Sequence, residues 1–521
     1  MIKNQPRQKA VVIGAGIGGL SAAIRLATAG LDVTVIEARP GPGGKVRTLP
    51  SIAGPVDAGP TVLTLISVFA DLFTQAGERL EDFISLVPQP ILARHWWQDG
   101  SQLDLHANPE ASAAAIYAFA GQKAETDFRQ FNRKSQALYS AFDGPMIQEA
   151  VPNLGKIALN AIKSPRIWKS LMPRSSLSGD LASSFQDIRL RQLFGRYSTY
   201  VGGAPDLSPA VLSLIWHAEA RGVWVVKGGM YQLAKALADL AIRQSAELRY
   251  DTIARKIEHK TGQVTGVMLS DGTVLKSDLV VFNGDPAALL AGLLGNGAQT
   301  AVPPTAAHPR SLSAWVWAFA AKPNGKDLLH HNVFFADSPD TEFGPIARGK
   351  MPEEATLYVC AQDRQSESPA SDTTERFEII MNAPPKTTIA SGELDQCRAK
   401  TFQRLAQFGL TFDQAPADST LTGPAGFAQL FPGSQGSIYG RSPHGLMASF
   451  QRPGARTKLT GLYLAGGGAH PGAGVPMAAL SGKHAAEAIL KDLHLTSPSP
   501  QTAMRGGMSM VSRMMGRAPS R

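Results

Sequence analysis

Lys9-Ala10-Val11-Val12-Ile13-Gly14-Ala15-Gly16-Ile17-Gly18-Gly19-Leu20 passes from an apolar strand pattern through a glycine turn into a helix pattern. Gly14, Gly16 and Gly19 suit, in order, a tight turn, close approach of the backbone to a pyrophosphate, and room for the helix that follows. Leu20, Ala23, Ile24 and Ala27 form the packed face of that helix, and Gly30 ends it. A second strand, Asp32-Val33-Thr34-Val35-Ile36, delivers Glu37 eighteen residues after Gly19. A carboxylate there accepts both hydroxyls of a ribose and repels a 2′-phosphate. Strand, glycines, helix, strand and acid in register predict a dinucleotide site, with Gly14, Gly16, Gly18, Gly19 and Glu37 as its first contacts.

The rest of the chain selects FAD over NAD. Gly43-Gly44-Lys45 puts a turn and a cation just past the ribose acid, so Gly44 and Lys45 join the set. Asp57-Ala58-Gly59-Pro60-Thr61 offers bare backbone to a flat ring, adding Pro60 and Thr61. Lys227-Gly228-Gly229-Met230-Tyr231-Gln232-Leu233 opens another helix, and a strand pattern ends at Val280-Val281-Phe282-Asn283. More than four hundred residues after the first loop, Leu462-Tyr463-Leu464-Ala465 leads into Gly466-Gly467-Gly468 and His470-Pro471-Gly472-Ala473-Gly474-Val475-Pro476. A helix from about Met477 would turn its free N–H groups toward the electron-rich edge of a flavin. Gly467, His470, Gly474, Val475, Pro476 and Met477 complete the predicted contacts. No second glycine fingerprint follows a strand, so no separate nicotinamide domain is expected.

The predicted fold class is α/β. A discontinuous Rossmann-like FAD-binding domain takes residues 1–70, 222–296 and 455–496. An α+β substrate domain takes 71–104 and 297–454, a helical membrane-facing insertion takes 105–221, and a basic, Met-rich tail runs over 497–521. A chain of 521 residues is too long for one ordinary core.

Charge is local. The formal net charge is +9. Lys156, Lys163, Arg166, Lys169 and Arg174 lie in an acid-free stretch over 150–179, and Arg505, Arg513, Arg517 and Arg521 in an acid-free tail. The first stretch is also apolar: Leu154, Ile157, Ala158, Ala161 and Ile162 recur at helical spacing before Pro165, and Ile167, Trp168, Leu171 and Met172 follow. Basic amphipathic stretches of this kind suit an anionic membrane surface; a core helix and a disordered tail are the plain alternatives. The cations alternate with aliphatic rather than stacking aromatic residues, which argues against nucleic acid. No run of eighteen apolar residues and no signal-peptide pattern is present, so the expected location is peripheral, on the cytoplasmic side of the membrane. Cys360 and Cys397, the only cysteines, read as buried inert thiols, and no metal site is expected.

This ordering resembles the FAD-containing carotenoid desaturases of the amine-oxidase-like flavoprotein superfamily, over about residues 9–492. The resemblance is carried by Val12–Leu20, the stretch DAGPTVLT at 57–64, Leu357-Tyr358-Val359-Cys360-Ala361-Gln362-Asp363-Arg364, and Ala469–Pro476. Thr48-Leu49-Pro50-Ser51, Arg94-His95-Trp96-Trp97 and Val475-Pro476-Met477-Ala478-Ala479-Leu480-Ser481-Gly482 point within it to the hydroxyneurosporene dehydrogenase branch, which desaturates acyclic 1-hydroxycarotenoids at the 3,4-bond. Phytoene desaturases typically place Thr before the His-Pro-Gly and Pro-Gly after the last loop; here Ala469 and Pro476-Met477 stand there.

The resemblance implies FAD as cofactor and a hydride passing from an allylic carbon to the flavin. It also implies a carotenoid drawn from the bilayer, and oxygen or a quinone as electron acceptor. Such a reaction needs alignment more than acid–base groups, and no residue is singled out as catalytic. A forty-carbon chain would lose on the order of 30 kcal/mol on entering water, so the cavity mouth must meet the membrane, with 150–179 as its candidate. His470 reads as a loop-shaping residue. His95, Trp96 and Trp97 are candidates to line the substrate passage or to recognise the hydroxyl end of the substrate; the plain alternative is core on one side of an alternating strand and surface on the other. Trp315 and Trp317, on one face of a strand over 311–320, fit either cavity wall or core. Phytoene desaturation, carotenoid ketolation or isomerisation, and non-catalytic carotenoid binding are the alternatives.

Overall fold

The computed structural model describes residues 7–172, 175–364 and 373–494. Its first sheet is parallel and assembled from distant parts of the chain. The strand order is Leu462–Leu464, Leu279–Phe282, Lys9–Ile13, Asp32–Ile36, Glu247–Arg249. Alternation of side chains splits its apolar residues between two faces. Ala10, Val12, Val33, Val35 and Val281 pack against the helices Ile17–Thr28, Tyr231–Arg243 and Val475–Asp492. Val11, Val280, Phe282, Leu462 and Leu464 pack toward an antiparallel sheet of Ala254–Lys260, Gln263–Leu269 and Val274–Lys276.

The two ends of the chain meet in the helical layer. The last helix, Val475–Asp492, lies on the first, Ile17–Thr28, and the contact admits no side chain at its closest point. A Cβ on Gly482 would stand 2.2 Å from the Gly18 carbonyl oxygen, and one on Gly18 would stand 2.5 Å from the Gly466 nitrogen. The Ser21 hydroxyl donates to the Ala479 carbonyl at 2.8 Å, and the Ser481 hydroxyl accepts the Gly466 N–H at 2.7 Å. Gly43 docks beside the first loop through its N–H to the Ala15 carbonyl.

The second sheet is mixed and seven-stranded, in the order Leu421–Thr422, Ser313–Ala321, Glu375–Ala383, Leu357–Ala361, His331–Phe334, Ile91–Trp96, Gln102–His106. Trp315 and Trp317 are buried in one of its cores with Phe319 and Met381, so of the two readings left open the core is the observed one. The flanking helices centre on Pro109–Phe142, which breaks at Gly121, where φ is +81°. They pack Phe128, Phe131, Phe185, Phe194 and Trp216 into an aromatic core. Cys360 and Cys397 are buried free thiols. Among the described residues no helix is long and apolar enough to cross a membrane.

Candidate flavin site and substrate cavity

Gly14, Gly16, Gly18 and Gly19 close around one side chain, Asn283, whose amide donates to the Gly14 carbonyl at 3.1 Å. Gly44 faces the same loop: a Cβ on it would lie 3.2 Å from the Gly16 Cα. The helix behind the loop has no side-chain cap at Gly16 and no acid in its first turn, so its leading N–H groups remain for an anion. Glu37 accepts the Ala15 N–H at 2.8 Å and the Arg39 N–H at 3.1 Å, one on each oxygen, leaving both oxygens able to accept a further hydroxyl. Burial pushes its pKa up and these N–H donors oppose the shift.

The electrostatics beyond the loop are unbalanced toward positive. Lys45 Nζ donates to the Ile438 carbonyl at 2.6 Å. Arg452 donates to the carbonyls of Gly467, Tyr439 and Arg441 at 2.7–3.0 Å. Among the described residues neither cation has a carboxylate in ion-pair range. The one acid acting on both, Asp285, is already paired with Arg310 and caps the helix Pro286–Leu290. Burial holds Lys45 down to about 8 and Arg452 down to about 10. Three cations against one buried acid, beside an uncapped helix end, fit a pyrophosphate.

The Asp57 stretch is braced from two sides. The Asp57 carboxylate accepts the N–H groups of Met230 and Tyr231 at 2.6 and 3.2 Å, at the head of Tyr231–Arg243. The Gln362 amide clasps the Asp57 backbone, N–H and carbonyl, at 3.0 Å each. Pro60 and Thr61 are thereby fixed on the wall of a cavity of about 1380 Å³. Gly474, Val475, Pro476 and Met477 line the same cavity, and the helix they begin has no side-chain cap. The predicted contacts therefore fall into two connected groups, one at the first loop and one on the cavity wall.

His470 belongs to neither group. Its Nε2 lies 3.0 Å from the Glu149 carbonyl and its ring stacks on His484 at 5.6 Å, so it pins the last loop to the turn at 143–149. Gly467 contributes its carbonyl to Arg452. Of the aromatic trio only Trp97 lines the cavity; His95 is enclosed between Leu103 and Phe335, and Trp96 stacks on Phe334.

Behind the wall, the Thr61 hydroxyl meets the Tyr358 hydroxyl at 2.8 Å, and that hydroxyl meets His331 Nδ1 at 2.7 Å. His330, His331 and Cys360 bring their ligand-type atoms within 4.8 Å of one another. Burial raises the Cys360 thiol well above its usual range and lowers both imidazoles, so the group is a neutral polar layer.

The cavity runs from this wall to the helical region, where Phe142, Ile157, Leu171, Val211 and Leu212 line it. Ile157 and Leu171 belong to the basic apolar stretch. The outer side of that stretch exposes Leu154, Leu159, Ile162, Trp168 and Met172, each by more than half. Lys163, Arg166 and Lys169 are exposed among them. Arg174 and the tail from 497 lie outside the described residues.

Sequence reasoning missed Arg452, Arg310 and Tyr439, which come from irregular segments without a motif. Asn283 had a signal: it follows a parallel strand at its carboxyl end, where α/β sheets bind ligands.

The family model for flavin-containing amine oxidoreductase matches residues 17–318. The hydroxyneurosporene desaturase of Cereibacter sphaeroides is 61% identical over 485 residues, 93% of this chain and 98% of that one. That of Rhodobacter capsulatus is 52% identical over 482 residues, 92% and 97% of the two chains. The solved structure of an oxidoreductase from Methanosarcina mazei shares the fold with a TM-score of 0.58 at 18% identity, covering 93% of this chain and 100% of that one. The chain belongs to the flavin-containing amine oxidoreductases and, within them, to the carotenoid desaturases: it is an FAD-dependent oxidoreductase.

Proposed function

We propose that the protein desaturates the 3,4-bond of an acyclic 1-hydroxycarotenoid such as hydroxyneurosporene, taken from a membrane, with oxygen or a quinone as final electron acceptor. The observation that carries the reading is one continuous apolar cavity: it extends from the uncapped start of Val475–Asp492 and the Pro60–Thr61 wall to the inner face of the 154–172 stretch. The close similarity to proteins named for that substrate gives it its chemistry. FAD, when bound, supplies the hydride acceptor.

The chain's own residues bind and align. The amide groups around Gly16, with Lys45, Arg310 and Arg452, would hold the pyrophosphate, and Glu37 the ribose. Pro60, Thr61 and Val475–Met477 would bound the ring. The apolar walls exclude water and leave shape to set which carbon is presented. Tyr358, its hydroxyl raised well above the usual range by burial, stays protonated and acts as a donor rather than a base. We propose the division of labour read from the sequence for the same parts: 1–70, 222–296 and 455–496 for the cofactor, 71–104 and 297–454 for the substrate, and 105–221 for the membrane. Arg310 and Arg452 reach from the substrate part to the cofactor, and 105–221 also lines the cavity. The peripheral, cytoplasmic-side location belongs to this reading.

Purified protein with FAD and hydroxyneurosporene in liposomes is expected to give a product with one more conjugated double bond, seen as a red-shifted spectrum and a new chromatographic peak. Phytoene conversion at an equal or greater rate would instead assign it to phytoene desaturation.

Lys45 gives a pH signature. Its pKa in the free protein, about 8, lies below the ordinary lysine value, so the ammonium is charged below that pH and neutral above it. An anion binds the charged form, so FAD affinity should fall by roughly tenfold per pH unit above about 8. Lys45→Arg should flatten that slope, read by flavin fluorescence titration; an unchanged slope would remove Lys45 from the pyrophosphate site.

Replacing Leu154, Leu159, Ile162 and Trp168 together by serine should weaken binding to anionic liposomes on the order of a hundredfold or more. FAD content should stay intact, because these side chains are exposed. Unchanged flotation would place the membrane contact elsewhere.

A further inference from the structure

Outside the flavin site and among the described residues, the cavity holds one buried polar side chain with an unpaired atom. Glu219, on the helix Leu214–Ala220, is 4% exposed and lines the cavity. Its Oε1 accepts the Tyr197 hydroxyl at 2.8 Å, while its Oε2 has no hydrogen-bond partner. Arg196 and Tyr200, from the turn Arg196–Val201, line the cavity beside it. The Arg196 guanidinium donates to the Tyr200 hydroxyl at 2.9 Å and lies over the Tyr200 and Tyr197 rings at 5.0 and 6.0 Å. The surroundings are the aromatic core of Phe128, Phe194 and Trp216.

Such an arrangement is costly unless something completes it. A buried carboxylate oxygen without a donor forfeits the hydration it had in the unfolded chain. Other buried polar groups along the cavity are satisfied: Glu342, for instance, accepts the Asn382 amide at 2.8 Å and the Thr356 N–H at 3.4 Å. Among the described residues, Glu219 is the one cavity-lining residue with a buried side-chain polar atom that lacks a partner.

The group also lies toward the cofactor side of the cavity. Just after its turn, a Cβ on Gly202 would stand 2.6 Å from the ring of Tyr439, whose carbonyl is held by Arg452. The charge of Arg196 is felt at Tyr439.

We infer that Glu219, Arg196 and Tyr200 form the specificity-determining pole of the cavity, with Glu219 Oε2 accepting the O–H of a substrate hydroxyl and Tyr200 or Arg196 donating to its oxygen. The inference rests on the reading of the substrate as a 1-hydroxycarotenoid and deepens it. A tertiary alcohol offers one donor and two acceptor positions, the complement of an unpaired carboxylate oxygen beside a phenol and a guanidinium. In such a substrate the hydroxyl oxygen lies only about 4 Å from C3, the near carbon of the 3,4-bond. Fixing the hydroxyl therefore fixes which bond is presented, and the rest of the apolar chain is left to run toward the 154–172 rim. A carotenoid without the hydroxyl would leave Glu219 unpaired in the closed cavity, and a site built to bond a hydroxyl rejects its deoxy analogue strongly.

The test compares initial rates on hydroxyneurosporene and on neurosporene, which lacks the hydroxyl, in the same liposomes with FAD-loaded protein. The parent is expected to favour the hydroxylated carotenoid. Glu219→Leu should reduce that preference at least tenfold, by loss on the hydroxylated substrate alone, with flavin spectrum and melting temperature retained. Tyr200→Phe, which keeps the ring beneath Arg196, should reduce it in the same direction and serves where Glu219→Leu does not fold. Variants that keep the full preference, or lose both activities in equal proportion, would overturn the pole while leaving the substrate assignment intact. A parent with no preference would overturn the substrate assignment and the pole with it.

Discussion

The structure depends on the close contact between its first and last helices. Backbone meets backbone where Gly482 lies against Gly18, the Ser21 hydroxyl bonds across the seam to the Ala479 carbonyl, and the Ser481 hydroxyl holds the Gly466 N–H of the loop that leads into the last helix. This contact sets Leu462–Leu464 into the parallel sheet and points two helix N-termini, at Gly16 and Gly474, toward one region. A cofactor that carries a pyrophosphate and, further along, a flat ring needs such an arrangement. The order of the chain then follows: the intervening residues build the sheet and helices that enclose the substrate.

A second constraint is electrostatic. Among the described residues Lys45 and Arg452 hydrogen-bond only to backbone carbonyls, Lys45 also lying over the Phe431 ring, and both have depressed pKa values because burial outweighs the distant Asp285. The free protein carries this unfavourable surplus, and an anion relieves it. Elsewhere on the cavity wall the demand reverses: Glu219 holds a carboxylate oxygen without a donor. The cavity thus joins a cationic region and a hydrogen-bonding pole, both toward its cofactor side, to walls that are otherwise apolar.

The legible parts of the sequence were those with local periodicity or tight spacing. Lys9–Glu37 predicted strand, loop, helix, strand and acid because each step obeys a short-range rule, and the discontinuous domain followed from the second glycine loop at 466–474. The stretch 154–172 announced an apolar, basic surface, and its exposed residues are observed there. What stayed hidden depends on tertiary packing. Trp315 and Trp317 alternate like a cavity strand, yet Phe402 packs edge-on against Trp317 and Gly423 lies against the Trp315 ring. For His470 the loop-shaping role was legible, and only its partner, the Glu149 carbonyl, was not. Glu219, Arg196 and Tyr200 have no signature, since three residues from a helix and a turn become a site only when the aromatic core sets them side by side.

The central claim, that both ends of the chain hold one FAD, is tested most directly by hydrogen exchange of the free protein before and after adding FAD. The account predicts simultaneous slowing at the amides of 14–20 and of 472–480, in proportion to FAD bound. Protection of the first segment alone, with the second unchanged at saturation, would contradict it.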